Sequence, residues 1–183
     1  MKILLAHAIK EEKVEISIPN AEVAYVETGV AKARAALRLM HAVCEFHPDM
    51  VINFGTSGTV NHEVGDIIIC NRFVDRDLRN VHFGDVISEI KFEDIDLSKL
   101  LGKEINAISS GTVNTGDSFV TEVADFEGDC IDMEAFAEAD VCREMNIPFI
   151  SVKYITDVVG KNSVEAWQDK LADAREALIK FFR

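Results

Sequence analysis

The sequence predicts one α/β domain over residues 1–183, built on a central mixed, largely parallel β-sheet flanked by helices. Three observations carry this prediction. Short β-prone apolar runs recur along the chain, segments of helical period stand between them, and no repeat, linker or low-complexity tract interrupts the alternation. Nearly half of the residues are hydrophobic (48%) and only 3 are proline, so 183 residues suffice for a real core.

Residues 2–8 open the chain as a short apolar run, read as a central strand of a parallel sheet, and end in the charged turn Ile9-Lys-Glu-Glu12. A second strand, 23–28, closes at Gly29. From 30 to 46 the period becomes helical, with Val30, Ala33, Leu37, Met40 and Cys44 on one stripe; His47-Pro48 ends that helix because the residue before a proline leaves the α region. Residues 50–53 read as a strand that stops at Phe54-Gly-Thr-Ser-Gly58, a sharp turn of small residues. Strand 67–74 follows the Val64-Gly-Asp66 turn and runs into the charged loop Asp75-Arg-Asp-Leu-Arg79. The acidic stretch 89–96 is the best candidate for a surface excursion, and 105–113 is a further strand. Asp129-Cys-Ile-Asp-Met-Glu-Ala-Phe reads as an acidic helix start and helix, and 148–157 as a buried strand. The last helix is capped at Asn162 or Ser163, with Glu165 placed for a capping box, and its stripe is Val164, Trp167, Leu171, Ala174, Leu178 and Phe181.

Charge excludes some functions. A net charge of −13 opposes binding of nucleic acid or an anionic membrane through a basic face, whereas a neutral small ligand fits easily. The first residues carry an apolar run too short for a signal peptide or membrane span, so the expected location is the cytoplasm. The four cysteines lack paired spacing and read as buried free thiols, and the five histidines lack ligand spacing, so no metal site is expected.

Carboxylates remain as the candidate chemistry. Glu11 or Glu12 follows the first strand, Asp132 and Glu134 stand at a helix start, and Asp157 ends the last strand, where α/β folds place ligands. Two readings are open for the helix-start acids: charges favoured by the helix dipole, or site residues held there despite the cost of desolvation. The Gly-Thr-Ser-Gly segment is likewise either a tight turn or a ligand loop, since it matches neither a P-loop nor a dinucleotide fingerprint.

Five motifs in one order break the tie. Asn53-Phe-Gly-Thr-Ser-Gly58, Val64-Gly-Asp-Ile-Ile68, Thr115-Gly-Asp-Ser-Phe119, Ile131-Asp-Met-Glu-Ala135 and Lys153-Tyr-Ile-Thr-Asp157 together resemble the nucleoside phosphorylase superfamily. The likeness is greatest to its 5′-methylthioadenosine/S-adenosylhomocysteine nucleosidase branch, which the opening residues also match. The resemblance implies hydrolysis of an N-glycosidic bond without a cofactor, in a homodimer whose neighbouring subunit closes the 5′ end of the pocket. It implies Asp157 as the acid on the purine, needing a proton near neutral pH, and Glu12 as the general base on water. Met133 and Glu134 would bind ribose, Phe119 and Val120 the base, and Ile9, Val30 and Trp167 would wall the 5′-substituent. Thr56 and Lys153 would stand near the water, and Asp132 would be a helix-start acid first and a supporting site residue second.

The chain departs from that pattern in being short between 13 and 22 and after Asp77, and in carrying His7 where the family has a small residue and Asp132 where it has Glu. Three further activities stay open: phosphorolysis, cleavage of another 5′-substituted nucleoside such as a futalosine-like one, and nucleoside binding without turnover. Phosphorolysis would need arginines around a dianion, and only Arg72, Arg76 and Arg79 could supply them. An acid at Glu12 suits water better. Phe73, Val74, Val81 and Phe83 are candidates for the subunit interface or for the core.

Overall fold

Eight strands and four helices stand among the residues described by the computed structural model, which are 1–81, 84–122, 127–160 and 163–183, with backbone alone for 163–166. Lys2–His7 (β1) lies between Glu22–Glu27 (β2) and Met50–Thr59 (β3), parallel to both. Phe149–Val158 (β8) runs parallel to β3 on its far side and antiparallel to Ile67–Asp75 (β4). Ile108–Thr115 (β6) pairs in parallel with β4 and with Cys130–Asp132 (β7), and β7 touches β3 again in antiparallel fashion. Strands β3, β7, β6, β4 and β8 therefore close into a ring, while Glu89–Lys91 (β5) adds an antiparallel edge to β4. The sheet is mixed and largely parallel, as the sequence predicts.

Side chains alternate across the strands and so build a core on each face. Ile3, Leu5, Ile52, Phe54, Ile150 and Val152 face Ser163–Phe182 (α4), whose Ala174, Leu178 and Phe181 are buried as the predicted stripe requires. Leu97–Leu101 (α2), capped by Asp96 accepting from the Lys99 amide, packs there too; it escaped the sequence reading because one turn carries no periodicity. Leu4, Ala6, Val51 and Phe149 point the other way, to Lys32–Phe46 (α1) and Ala135–Glu144 (α3). Each buried Ile, Leu, Val or Phe among these stabilises the fold by roughly 1.5–3 kcal/mol relative to exposure.

The short segment 13–18 shows how the chain manages without a longer excursion. Val14, Ile16 and Ile18 are buried in alternation, and the Tyr25 hydroxyl accepts from the Ile16 amide and donates to its carbonyl.

Several expectations need correction. Residues 54–58 are not a turn: β3 continues through them, paired with β8 up to Thr59, and the small residues serve close approach of other side chains. The buried stripe of α1 is Ala35, Leu39 and Val43, whereas Leu37 is 72% exposed and Cys44 is exposed, because α1 packs against α3 as well as the sheet. His47 does end α1, in a left-handed conformation with its amide on the Val43 carbonyl. The excursion 89–96 contains β5, with Ile90 buried, and 130–132 form a strand rather than a helix start. Phe73 and Val74 belong to the core, not to an interface. Asn162 and Phe83 lie outside the described residues, as do the side chains of Val164 and Glu165.

Candidate active site

Where β3 and β8 run side by side, a cavity of about 200 Å³ opens at their C-terminal ends. Eleven of the twelve residues singled out from the sequence line it: Ile9, Glu12, Val30, Thr56, Phe119, Val120, Asp132, Met133, Glu134, Asp157 and Trp167. Lys153, the twelfth, lies fully behind the wall with its ammonium 2.9 Å from Asp132 Oδ2. The fold brings these residues together from seven separate stretches of chain.

Glycine spacing on β3 sets the two outer acids. A Cβ on Gly55 would stand 2.9 Å from Glu12 Oε1, and one on Gly58 would stand 3.1 Å from Asp157 Oδ2. Each glycine thus leaves room for one carboxylate, three residues apart along the strand. Between them Thr56 binds Glu12 twice, its amide at 2.8 Å and its hydroxyl at 2.6 Å from Oε1, while the Trp167 indole N–H donates to that hydroxyl at 2.9 Å. Ser57 faces the other way and clips β3 to β7 through the Ile131 amide and carbonyl.

Glu12, not Glu11, is the inward acid: Glu12 is buried and Glu11 exposed. A single 3-10 turn, Lys10–Glu12, presents it, fixed from three sides. His7 Nδ1 donates to the Ile9 carbonyl at 2.9 Å, the Glu12 amide donates to the same carbonyl, and Arg175 on α4 holds the Glu11 carbonyl. His7 therefore shapes the turn from behind the cavity.

Asp132 ends β7, with Met133 and Glu134 between it and α3. It accepts from the Ala135 amide at 3.0 Å and from the Thr115 hydroxyl at 2.6 Å, which leaves Glu134 as the acid projecting into the cavity. Burial, with Asp132 close by, pushes the Glu134 carboxyl up to about 8, although Lys153 and the Ala31 amide pull the other way. Burial by itself would lower the Lys153 ammonium; the Asp132 and Glu134 carboxylates outweigh it and hold the group above the usual lysine range. Ala31, whose amide reaches Glu134 Oε1 at 3.1 Å, has φ 78° and ψ 151°, a region nearly reserved for glycine. Asp157 sits 4% exposed at the far wall. The Thr156 hydroxyl lies 2.9 Å from Asp157 Oδ1 and 3.2 Å from the Ser57 carbonyl, so when it donates to that carbonyl it can accept from a protonated Asp157.

Arg76, which the sequence offers only as a possible contact to a dianion, has a different part, one that nothing in the charged loop Asp75-Arg-Asp foretells. It lines the cavity, packs over Gly116 and donates to the carbonyls of Asn114, Asp132, Gly116 and Ser118. That clamp shapes the loop which delivers Phe119 and Val120. Lys32 adds a second tie, with its ammonium on Asp75 and Asp77 and its amide on Asp117. The guanidinium of Arg72 is engaged with Glu89 and Glu127.

The chain resembles known proteins along most of its length. The model of the phosphorylase superfamily matches residues 7–183. A 5′-methylthioadenosine/S-adenosylhomocysteine nucleosidase of Geobacillus sp. (strain WCH70) is 30% identical over 178 residues, covering 85% of this chain and 76% of that protein. Among solved structures, the 5′-methylthioadenosine/S-adenosylhomocysteine nucleosidase of Colwellia psychrerythraea 34H, in complex with adenine, shares the fold with a TM-score of 0.80 at 20% identity, over 100% of this chain and 94% of that one. A futalosine hydrolase mutant of Helicobacter pylori strain 26695 does so with a TM-score of 0.82 at 18% identity, over 98% and 96%. With the motifs in order, the ring of strands closed around them and the family match running from His7 to the last residue, this chain belongs to the phosphorylase superfamily.

Proposed function

We propose that this protein is a purine nucleosidase, hydrolysing the N-glycosidic bond of an adenine nucleoside such as 5′-methylthioadenosine or S-adenosylhomocysteine to adenine and a 5-substituted ribose. The observation that carries the reading is the pair of carboxylates, Glu12 and Asp157, held at opposite ends of the Gly55-Thr-Ser-Gly58 segment in one cavity, with Glu134 on a third wall. Glu12 Oε1 is occupied by two Thr56 donors, so Oε2 is the oxygen offered to a water. Asp157, protonated, donates to the purine and makes adenine a better leaving group; general acid or base assistance of this kind is worth about 10²–10⁴-fold. Ribose develops positive charge as the bond breaks, and the Glu134 carboxylate against its hydroxyls is worth more in that transition state than before it. Met133 joins Glu134 at the ribose, Phe119 and Val120 flank the base, and Ile9, Val30 and Trp167 enclose the 5′ end. Asp132 and Lys153 support Glu134 from behind.

Phosphorolysis is disfavoured by how the arginines are used. Arg76 is committed to four carbonyls and Arg72 to two carboxylates, while the Glu12 carboxylate in the cavity would repel a dianion. The 183 residues act as one domain. The reading carries with it a cytoplasmic homodimer working in methionine salvage. Adenine and reducing-sugar release from 5′-methylthioadenosine, S-adenosylhomocysteine, adenosine and a futalosine-like nucleoside, with and without phosphate, tests the proposal. Phosphate-independent release is expected; strict phosphate dependence, or no cleavage of any of them, overturns it.

A further inference from the structure

Trp167 does more than wall a pocket. Its indole nitrogen can only donate, so at 2.9 Å the Thr56 hydroxyl oxygen must be the acceptor. That hydroxyl has one proton, and its other close partner is Glu12 Oε1 at 2.6 Å. With the indole filling the accepting side, the proton is directed to Glu12. The Thr56 amide, 2.8 Å from the same oxygen, completes a two-donor grip on Oε1. Gly55 below leaves no side chain that could push the carboxylate off. Without the indole N–H, the hydroxyl is free to rotate and accept from water or donate elsewhere, and Oε1 keeps only the amide as an obligatory partner. Chains of hydrogen bonds in a buried setting also strengthen one another.

We infer that Trp167 is a positioning residue for Glu12, acting through the Thr56 hydroxyl to fix which carboxylate oxygen is left to bind water. The inference rests on the reading of Glu12 as the base for nucleoside hydrolysis. It assigns α4 a part in the chemistry: the helix that supplies Trp167 also holds the Glu12 turn through Arg175.

The chain has 1 tryptophan, so a proton–nitrogen NMR spectrum of the full chain shows a single indole N–H signal, which reads the contact without reference to activity. In the wild-type protein the signal is expected downfield and protected from solvent exchange. Thr56→Val should move it upfield and remove the protection. Glu12→Gln should move it as well, although Glu12 does not touch the indole. A signal indifferent to Glu12→Gln overturns the proposal, even if the protein should cleave no nucleoside and the functional reading fails separately. Kinetics supply the second arm. Trp167→Phe keeps an aromatic wall and loses only the donor, and should lower kcat about fivefold to tenfold, the effect of one hydrogen bond, with KM within about twofold. In a Thr56→Val background Trp167→Phe should lower kcat no further, and in a Thr56→Ser background its effect should return. A rise in KM with kcat intact, or full additivity with Thr56→Val, marks the indole as a wall alone and refutes the relay.

Discussion

Glu138 is the group whose replacement tests the electrostatics of this site most directly. It lies one helical turn beyond Glu134 on α3, fully buried, and neither carboxyl oxygen meets a hydrogen-bond partner. Thr28 and Asn53 face it and favour its charged form weakly, without reaching hydrogen-bond geometry. Burial pushes the group from the ordinary value of 4.5 up to about 7, with Lys153 pulling down and Asp132 pushing up. Glu134 and Cys142 on its own helix also feel it. The folded protein therefore holds this proton more tightly than the unfolded chain. The stability this contributes is fully present below about pH 4.5 and is lost as pH rises through about 7. The difference corresponds to roughly 3 kcal/mol between the two limits. Glu138→Gln is neutral throughout and nearly isosteric, so in urea unfolding its stability relative to wild type should rise by about 2.5 kcal/mol between about pH 5 and about pH 8.5. Any fixed cost of burying the amide cancels in that slope. A relative stability that stays flat over the same range would falsify the account and mean that Lys153 fully compensates the buried charge.

Asp157→Asn should reduce turnover by at least about 10²-fold while calorimetry still detects adenine binding; near-normal hydrolysis by that variant removes Asp157 from its role. Gly55→Ala puts a Cβ 2.9 Å from Glu12 Oε1 and should cut kcat by tenfold or more, roughly the effect of displacing a positioned base; an unchanged kcat means the carboxylate has room to move. Burial pushes the Glu134 carboxyl up to about 8, and on the proposed reading its charged form is the one that binds the ribose hydroxyls most tightly. Nucleoside affinity, measured in the Asp157→Asn background, should therefore improve as pH rises toward about 8 while adenine affinity should not; parallel profiles would show that Glu134 does not contact the sugar. Ala31→Gly should stabilise the protein by about 1 kcal/mol in thermal unfolding, because it relieves a φ that disfavours any Cβ; destabilisation would show that the methyl group's packing outweighs the strain.

The order of strands and helices, the α4 stripe and the stop at His47-Pro48 could be read from the chain because each depends on neighbours in sequence: period, turn residues, the restriction before proline. The same holds for the residue types of the site, which their motifs carry in order. What the pattern could not resolve was one-turn structure. Helix α2, strand β5 and the strand at 130–132 are too short for periodicity, and the outward placement of Leu37 and Cys44 depends on which neighbour α1 meets.

By itself, then, the sequence determined an α/β sheet and named the acids that line the cavity, since burial patterns and motifs are local properties. Only the tertiary structure decided that Glu12 rather than Glu11 faces the cavity, that Gly55 and Gly58 lie in a paired strand and clear space for two carboxylates, and that Arg76 is spent on backbone carbonyls. It also moved Lys153 behind the wall, onto Asp132. The physical reason is common to all four. A side chain's direction and its hydrogen-bond partners depend on segments tens of residues away, which meet only when β3, β7, β6, β4 and β8 close their ring.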